Sequence, residues 1–501
     1  MTQRTLTLIK GGTVYDGSGA PPRVTDVLIR DGMIAQVGNV SARSVHRVIR
    51  ASNAAVVPGF IDVNTSSDHF LTLFSNPLQG MFLSQGVTSI VGGNCGSSLA
   101  PLLGAPLEAV GEWGHPTNLN TNWNTVREFL AVIDRLKLGV NFGTLVGHAS
   151  VRRRITGGEF RDLTDPELAL FEQILINAFQ DGALGLSSGL SRAHSVRVDP
   201  HEIAALVATT ARSQRVYATH IRNFEDRIRE SVEEALALAK RFHVSVEVSH
   251  LIPRAGFTSG YTEAITAIER AAAESVVHFD LYPFEVVEQP FYTLLPLWAQ
   301  YGNRGEMLVS LRDPGARRRL REHFDSFAIR DFRFAHVFEP PVRFLEGRIL
   351  ADLARPDEPV PDLIMRLMQL THLRATVVKQ VADLERLEKA LGSTSALIAS
   401  NAPAVLPGDF ADLRSTRTFT SFLERVRKDR TIPFERIVQR LTAVPAEKYR
   451  LAKRGRIAER NHADLVVLQN EKPTHVFVNG TLAVDEGNLT GARSGTALRA
   501  S

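Results

Sequence analysis

Between residues 56 and 400 the chain repeats one pattern eight times: a short β-branched, apolar run, in most cases followed by a stretch of helical period. The strand candidates are Val56–Asp62, Val87–Asn94, Phe142–Gly147, Leu184–Ser187, Val216–His220, Val244–His250, Val276–Tyr282 and Ala396–Ser400. Runs this apolar suit parallel strands covered on both faces. Of the helical stretches, Thr164-Asp165-Pro166-Glu167 reads as a capping box with proline in the first turn, and predicts a helix through about Gln180. Asp226–Phe242 places Ile228, Val232, Ala235, Leu236 and Ala239 on one face, as a helix lying on a sheet would. Eight such repeats predict an α/β fold, a (β/α)8 TIM-like barrel spanning residues 56–454. The longest interruption, residues 288–361, is rich in Arg, Pro and aromatics; it is expected to be an insertion or lid over the barrel mouth.

The two ends of the chain read differently. Leu6–Lys10 alternates and Gly11-Gly12 reads as a turn, while Val27–Arg30 and Met33–Val37 flank a tight Asp31-Gly32 turn. Near the other end Ala463–Leu468 reads as a strand, and Val476–Val478 and Thr481–Val484 flank Asn479-Gly480. Residues 1–55 and 455–495 are therefore expected to combine into a small β-sandwich domain.

Composition narrows the functional classes. In 501 residues the hydrophobic share is 44%, the charged share 22% and the formal net charge +4, ordinary for a soluble globular chain. The basic residues are scattered, and Arg152-Arg153-Arg154 and Arg317–Arg321 read as solvated faces, so no nucleic-acid role is expected. No run of about 18 apolar residues suggests a membrane span. The single cysteine, Cys95, allows no internal disulfide and suits a reducing cytoplasm, the expected location. A homo-oligomer stays open.

Barrel enzymes place their chemistry at the C-terminal strand ends. Here those ends are Asn64, Cys95, His148, Ser188, His220, His250, Tyr282 and Asn401. Taken alone, Cys95 reads as a small buried hydrophobe, and His220 and His250 as core histidines bonded to backbone. Taken together, a thiol and two imidazoles suit one zinc ion, with a fourth position open to water whose pKa would fall toward about 7.

The strings VVPGFID, SQGVTSIVGGNCGSSLAPL, LVGH, GALGLSSGL, YATHIRN, VEVSHL, DLYPF, TAVPAEKYRL and RGRIAERNHADLVVL lie in order over nearly the whole chain. In these the chain resembles the N-acyl-D-amino-acid deacylases (D-aminoacylases), a branch of the metal-dependent amidohydrolases. The resemblance implies a metallo-barrel carrying a β-sandwich, with Cys95, His220 and His250 on the family's tightly bound zinc ligands. It also implies substrate contacts from His148, Tyr282 and Arg414; His148 reads equally as structural support, and Tyr282 equally as a core tyrosine.

The departures fall on the chemistry. Where the family has His-x-His after the first strand, this chain has Asn64 and Ser66, so a second metal position is expected to be lost. Where the family's eighth strand ends in Gly-Ser-Asp, this chain has Ala399-Ser400-Asn401, and an amide cannot act as the base. Asp68, His69 and Asp280 are the remaining candidates for proton transfer, although Asp68 and His69 also read as a polar loop. A family lysine that helps grip the substrate carboxylate is replaced by Ile252, which raises the idea that Arg192 and Arg414 together clamp an anion, with Arg192 also readable as a surface residue.

Two readings follow. One is a single-metal hydrolase of a C–N bond in an N-acyl amino acid or similar small anionic amide. The other is a catalytically inactive protein of the same fold with a binding or structural role.

Overall fold

The structure is a computed structural model that describes residues 6–41, 45–104, 121–193, 195–301, 303–405, 412–429 and 431–501. Its centre is a set of parallel strands in chain order. Phe60–Asp62, Val87–Gly92 and Asn141–Thr144 pair as one parallel sheet. The third of these resumes after Leu145 as Val146–Gly147 and leads a second parallel sheet through Gly185–Gly189, Val216–His220, Ser245–Val248, Val277–Leu281 and Ala396–Ile398. Counting the interrupted third strand once, the set has eight members. The ends of the first and eighth exchange backbone hydrogen bonds: Asn401 N–H donates to Asn64 O at 2.8 Å, and Ser66 N–H to Ala402 O at 3.1 Å.

Helices cover these strands for the reasons their sequences suggest. The helix Asp165–Gln180 begins at Thr164 with the capping box closed by Glu167, and its buried face is Phe171, Leu175, Ala178 and Phe179. The helix Ile228–Phe242 buries Ile228, Val232, Ala235 and Ala239, one stripe at 3.6-residue spacing. At about 1.5–3 kcal/mol for each large apolar side chain fully withdrawn from water, such stripes hold the helical layer to the strands. No helix among the described residues is long and apolar enough to cross a membrane.

Strands from both ends of the chain share one nine-stranded sheet, in which Leu6–Val14 lies beside Arg23–Arg30 and Ala55–Pro58 pairs with Leu465–Gln469. Both expected hairpin turns form. Asp31 and Gly32 have φ of 50° and 82°, and Asn479 and Gly480 have 45° and 74°, the paired positive values that a two-residue turn of matching twist requires. The two turns meet: Ala463 N–H donates to Gly32 O, Gly480 N–H donates to Ala463 O, and a Cβ on Gly480 would lie 2.6 Å from Gly32 Cα. Buried Asn141, at the start of the third parallel strand, joins this sheet to the centre by bonds to Asp464 and Asn479. One expectation fails here. Gly11-Gly12 is not a turn but a bulge within Leu6–Val14, where a Cβ on Gly12 would meet Val56 Cγ2 at 2.5 Å.

The insertion after the seventh strand has its own three-stranded antiparallel sheet. Ala375–Gln380 lies between Val286–Pro290 and Phe332–Val337, so the sheet runs beyond residue 361. It also has its own apolar core, including Phe291, Leu320, Phe324, Phe334, Ile364 and Leu367. It contacts the segments that follow the sixth and first parallel strands: Ala255 N–H donates to Val381 O, Asp383 N–H to Pro253 O, and the Phe338 ring lies 5.5 Å from that of Phe70.

The glycines around Cys95 show how tightly that end is packed. Gly93 has φ of 76°, and a Cβ there would come within 2.3 Å of Leu145 O; one on Gly96 would lie 2.7 Å from Gly189 N. Gly93→Ala is therefore expected to cost more than about 1 kcal/mol of stability, measured as a lowered melting temperature relative to the parent protein.

Candidate metal centre

Cys95, His220 and His250 come from three separate strand ends and meet. One donor atom from each lies within 4.8 Å of the others. Cys95 Sγ is 3.3 Å from His250 Nε2, which is 2.8 Å from His220 Nδ1. The backbone aims these groups at some cost, since Cys95 and His250 have φ of 55° and 37°, in the left-handed region that non-glycine residues seldom occupy. Asn401 at the eighth strand end joins them with φ of 46°.

Burial sets the protonation states. It pushes the Cys95 thiol up to about 12, with Arg192 opposing and Asp280 and Asp68 reinforcing. It holds His250 down at about 3, helped by the positive charge of Arg192, and keeps His220 well below its ordinary value, helped by His250. Both rings are thus neutral, the form in which imidazole binds a metal. The donor set of one sulfur and two nitrogens, already gathered within a few ångströms, fits a tetrahedral zinc or similar ion with one position left over.

Further contacts fix these three side chains. His250 N–H donates to Asp280 Oδ1 at 2.9 Å, and Asn64 Nδ2 donates to Asp280 Oδ2 at 3.2 Å. Asp280 is buried beside Glu247, and both effects raise its carboxyl well above the usual range. Glu247 in turn accepts from Tyr449 OH at 2.9 Å, and buried Lys448 lies close by, its pKa lowered to about 8 despite the favourable charge of Glu247. Ser191 Oγ reaches His220 Nε2 at 2.5 Å, and Phe224 packs edge-on to the same ring.

The other expected site residues divide. Asp68 and His69 are buried and do not form an outward polar loop. Asp68 Oδ2 accepts Gly93 N–H at 2.6 Å, while its Oδ1 has no hydrogen-bond partner among the described residues. His69 Nε2 pairs with Ser97 O at 3.0 Å. His148 is fully buried and spends Nε2 on Glu202 at 2.7 Å. Glu202 also binds Arg152 Nε at 3.0 Å, so Arg152 is buried and not part of a solvated basic face; a buried carboxylate captured it. Tyr282 is fully buried under the Arg414 guanidinium, 5.5 Å from its ring centre, and burial pushes its hydroxyl up to about 12. Arg192 lies near the triad, close enough to oppose protonation of both imidazoles.

Arg414 is also fully buried, and four of its five N–H donors are taken. Nε and Nη2 bind Asp412 Oδ2 at 2.9 and 2.7 Å, Nη2 also binds Glu288, and Nη1 binds Asn401 O at 3.2 Å. Glu288 comes from the inserted sheet, where Thr376 Oγ1 donates to it and His336 Nε2 lies 3.9 Å away. Sequence reasoning missed Glu288, Thr376 and His336. Each lies in an ordinary strand pattern, and nothing local marks it as reaching another part of the fold.

No family model matches the chain. It is 30% identical over 510 aligned positions to an N-acyl-D-aspartate deacylase of Alcaligenes xylosoxydans xylosoxydans, covering 97% of this chain and 93% of that protein. A D-aminoacylase of the same organism is 27% identical, with 98% and 97% covered. Among solved structures, the fold is similar to that of an N-acyl-D-glutamate deacylase from Bordetella bronchiseptica complexed with zinc and a phosphonate inhibitor. The TM-score is 0.82 at 26% identity, with 99% of this chain and 100% of that one covered.

If the three donors form one metal site, zinc uptake near neutral pH must expel the thiol proton. About one proton per zinc is expected, measured calorimetrically in buffers of different ionisation enthalpy. Cys95→Ala is expected to abolish this release and weaken zinc binding by more than about 100-fold.

Proposed function

The chain belongs to the D-aminoacylase family of metal-dependent amidohydrolases, and on that premise we propose that it is a single-metal hydrolase of a C–N bond in an N-acyl amino acid or a related small amide. The observation that carries this reading is the convergence of Cys95, His220 and His250 from three strand ends. Part of the same reading is that the eight parallel strands close into a barrel, which the hydrogen bonds between Asn64 and Asn401 and between Ser66 and Ala402 support. The terminal sheet then forms a separate β unit, and the insertion covers the mouth.

Zinc held by Cys95, His220 and His250 would supply Lewis acidity to the amide carbonyl and to water. Asp280 accepts the backbone N–H of His250 and the side-chain amide of Asn64, so both of its oxygens are already engaged in orienting neighbours. Asp68 is the better acceptor: it is buried against Gly92 and Gly93 beside Cys95, with one oxygen anchored and the other without a hydrogen-bond partner among the described residues. In this assignment water adds to the carbonyl carbon, Asp68 Oδ1 takes its proton and passes it to the amide nitrogen, and the C–N bond breaks to give a carboxylic acid and an amine. Arg192 lies on the fourth-strand side of the triad, where its charge would favour the developing oxyanion.

The second reading, a ligand-binding protein without turnover, draws its support from Asn401 and from Asn64, whose amide is spent on Asp280. Zinc-loaded protein is expected to release acetate from at least one member of a panel of N-acetyl amino acids and their carboxamides. Asp68→Asn is expected to lower kcat by about 10²–10⁴-fold without changing zinc stoichiometry. Turnover that is absent from the native protein and created by Asn401→Asp would instead establish the second reading.

A further inference from the structure

The two ring nitrogens of His220 have different neighbours. Nδ1 faces the other two donors: it lies 2.8 Å from His250 Nε2, which is 3.3 Å from Cys95 Sγ. Nε2, on the other side of the ring, meets Ser191 Oγ at 2.5 Å. A neutral imidazole carries one ring proton, and the group that bonds one nitrogen decides whether the other can offer a lone pair to a metal. For Nδ1 to share an ion with Cys95 and His250, the proton must stay on Nε2, where a hydrogen-bond acceptor holds it.

Strand pairing places Ser191 at that nitrogen. Gly189 and His220 are register partners on the fourth and fifth parallel strands, and Leu190 N–H donates to His220 O at 2.8 Å just beyond them. The next residue is Ser191, so the backbone carries its hydroxyl to the His220 ring. Arg222, two residues after His220, fastens the chain further on by donating to Val196 O at 3.0 Å and Val198 O at 3.3 Å. The Phe224 ring lies edge-on to His220, 4.8 Å between centres, and limits rotation of the imidazole. The fourth strand gives no donor to the trio, yet it also serves Cys95: Ser187 Oγ accepts Gly96 N–H at 3.1 Å and donates to Gly93 O. Ser188 of the same stretch bonds Tyr217 OH at 2.7 Å and Thr219 Oγ1 at 3.0 Å instead.

We propose that Ser191 is a positioning residue of the metal centre: its Oγ accepts the Nε2 proton of His220 and so holds the ring in the tautomer whose Nδ1 lone pair faces Cys95 and His250. This rests on the metal-centre part of the proposed function and not on turnover. A serine acting the other way, donating its hydroxyl proton to Nε2, would put the ring proton on Nδ1 between the two imidazoles and oppose a cation there.

The test measures zinc affinity of the full-length protein by competition with a chelator, together with the visible absorption of the cobalt-substituted form and the melting temperature of the metal-free form. Ser191→Ala is expected to weaken zinc binding by about tenfold or more and to change the cobalt spectrum, while the metal-free melting temperature stays that of the native protein. Ser191→Thr, which keeps the hydroxyl, is expected to restore both readouts. Ser188→Ala, which removes a buried hydroxyl of the same strand that faces elsewhere, is expected to leave both unchanged. Zinc binding that depends on Ser191 without release of acetate from any N-acetyl amide would uphold the assignment while refuting the hydrolase. Acetate release by a protein whose zinc affinity Ser191→Ala does not alter would overturn the assignment and leave the hydrolase standing. Equal losses in the Ser191→Ala and Ser188→Ala variants, or a native protein that binds no zinc, would also overturn it.

Discussion

The hydrogen bond from His250 N–H to Asp280 Oδ1 holds the centre of this molecule together. His250 lies just past the sixth strand in a left-handed conformation that costs energy, and the buried carboxylate compensates by accepting the exposed amide. The same carboxylate takes the side chain of Asn64 from the end of the first strand and lies against Glu247 from the sixth. One acid thus ties together strands far apart in sequence and sets the direction of an imidazole.

Most of the architecture was legible because it depends on local periodicity. The strand–helix alternation, the capping box at Thr164 and the paired turns at Asp31-Gly32 and Asn479-Gly480 each need only a few adjacent residues, and each forms. The convergence of Cys95, His220 and His250 was legible for a related reason: a cysteine and two histidines at strand ends are rare residues in positions fixed by the repeat. Gly11-Gly12 was misread because a glycine pair permits either a turn or a bulge, and the deciding contact, Val56, lies elsewhere in the chain. Arg152 was misread likewise, since only the fold reveals Glu202 as its partner.

What could not be read lies at contacts between units. Glu288, Thr376 and His336 alternate like any strand residues, yet they meet Arg414 and Asp412 in a fully buried ionic cluster. Such a cluster is a poor source of net stability, because desolvation offsets most of the attraction, but it strongly penalises any arrangement that leaves one member unpaired. It therefore fixes the inserted sheet in one orientation against the segment carrying Asp412 and Arg414. The apolar contact of Phe70 with His336 and Phe338 supplies the less directional part of the same junction.

The two tight turns that touch where Gly480 approaches Gly32 also bear on how the chain is made. Ala55–Pro58 finds one of its sheet neighbours in Leu465–Gln469, near the other end of the polypeptide. During synthesis the early strands must emerge and wait, with an unpaired edge facing solvent or a chaperone, until the strand Leu465–Gln469 has been added. Completion of that sheet is therefore a late event in biogenesis, and a ribosome that stops short leaves behind a sticky amino-terminal ribbon.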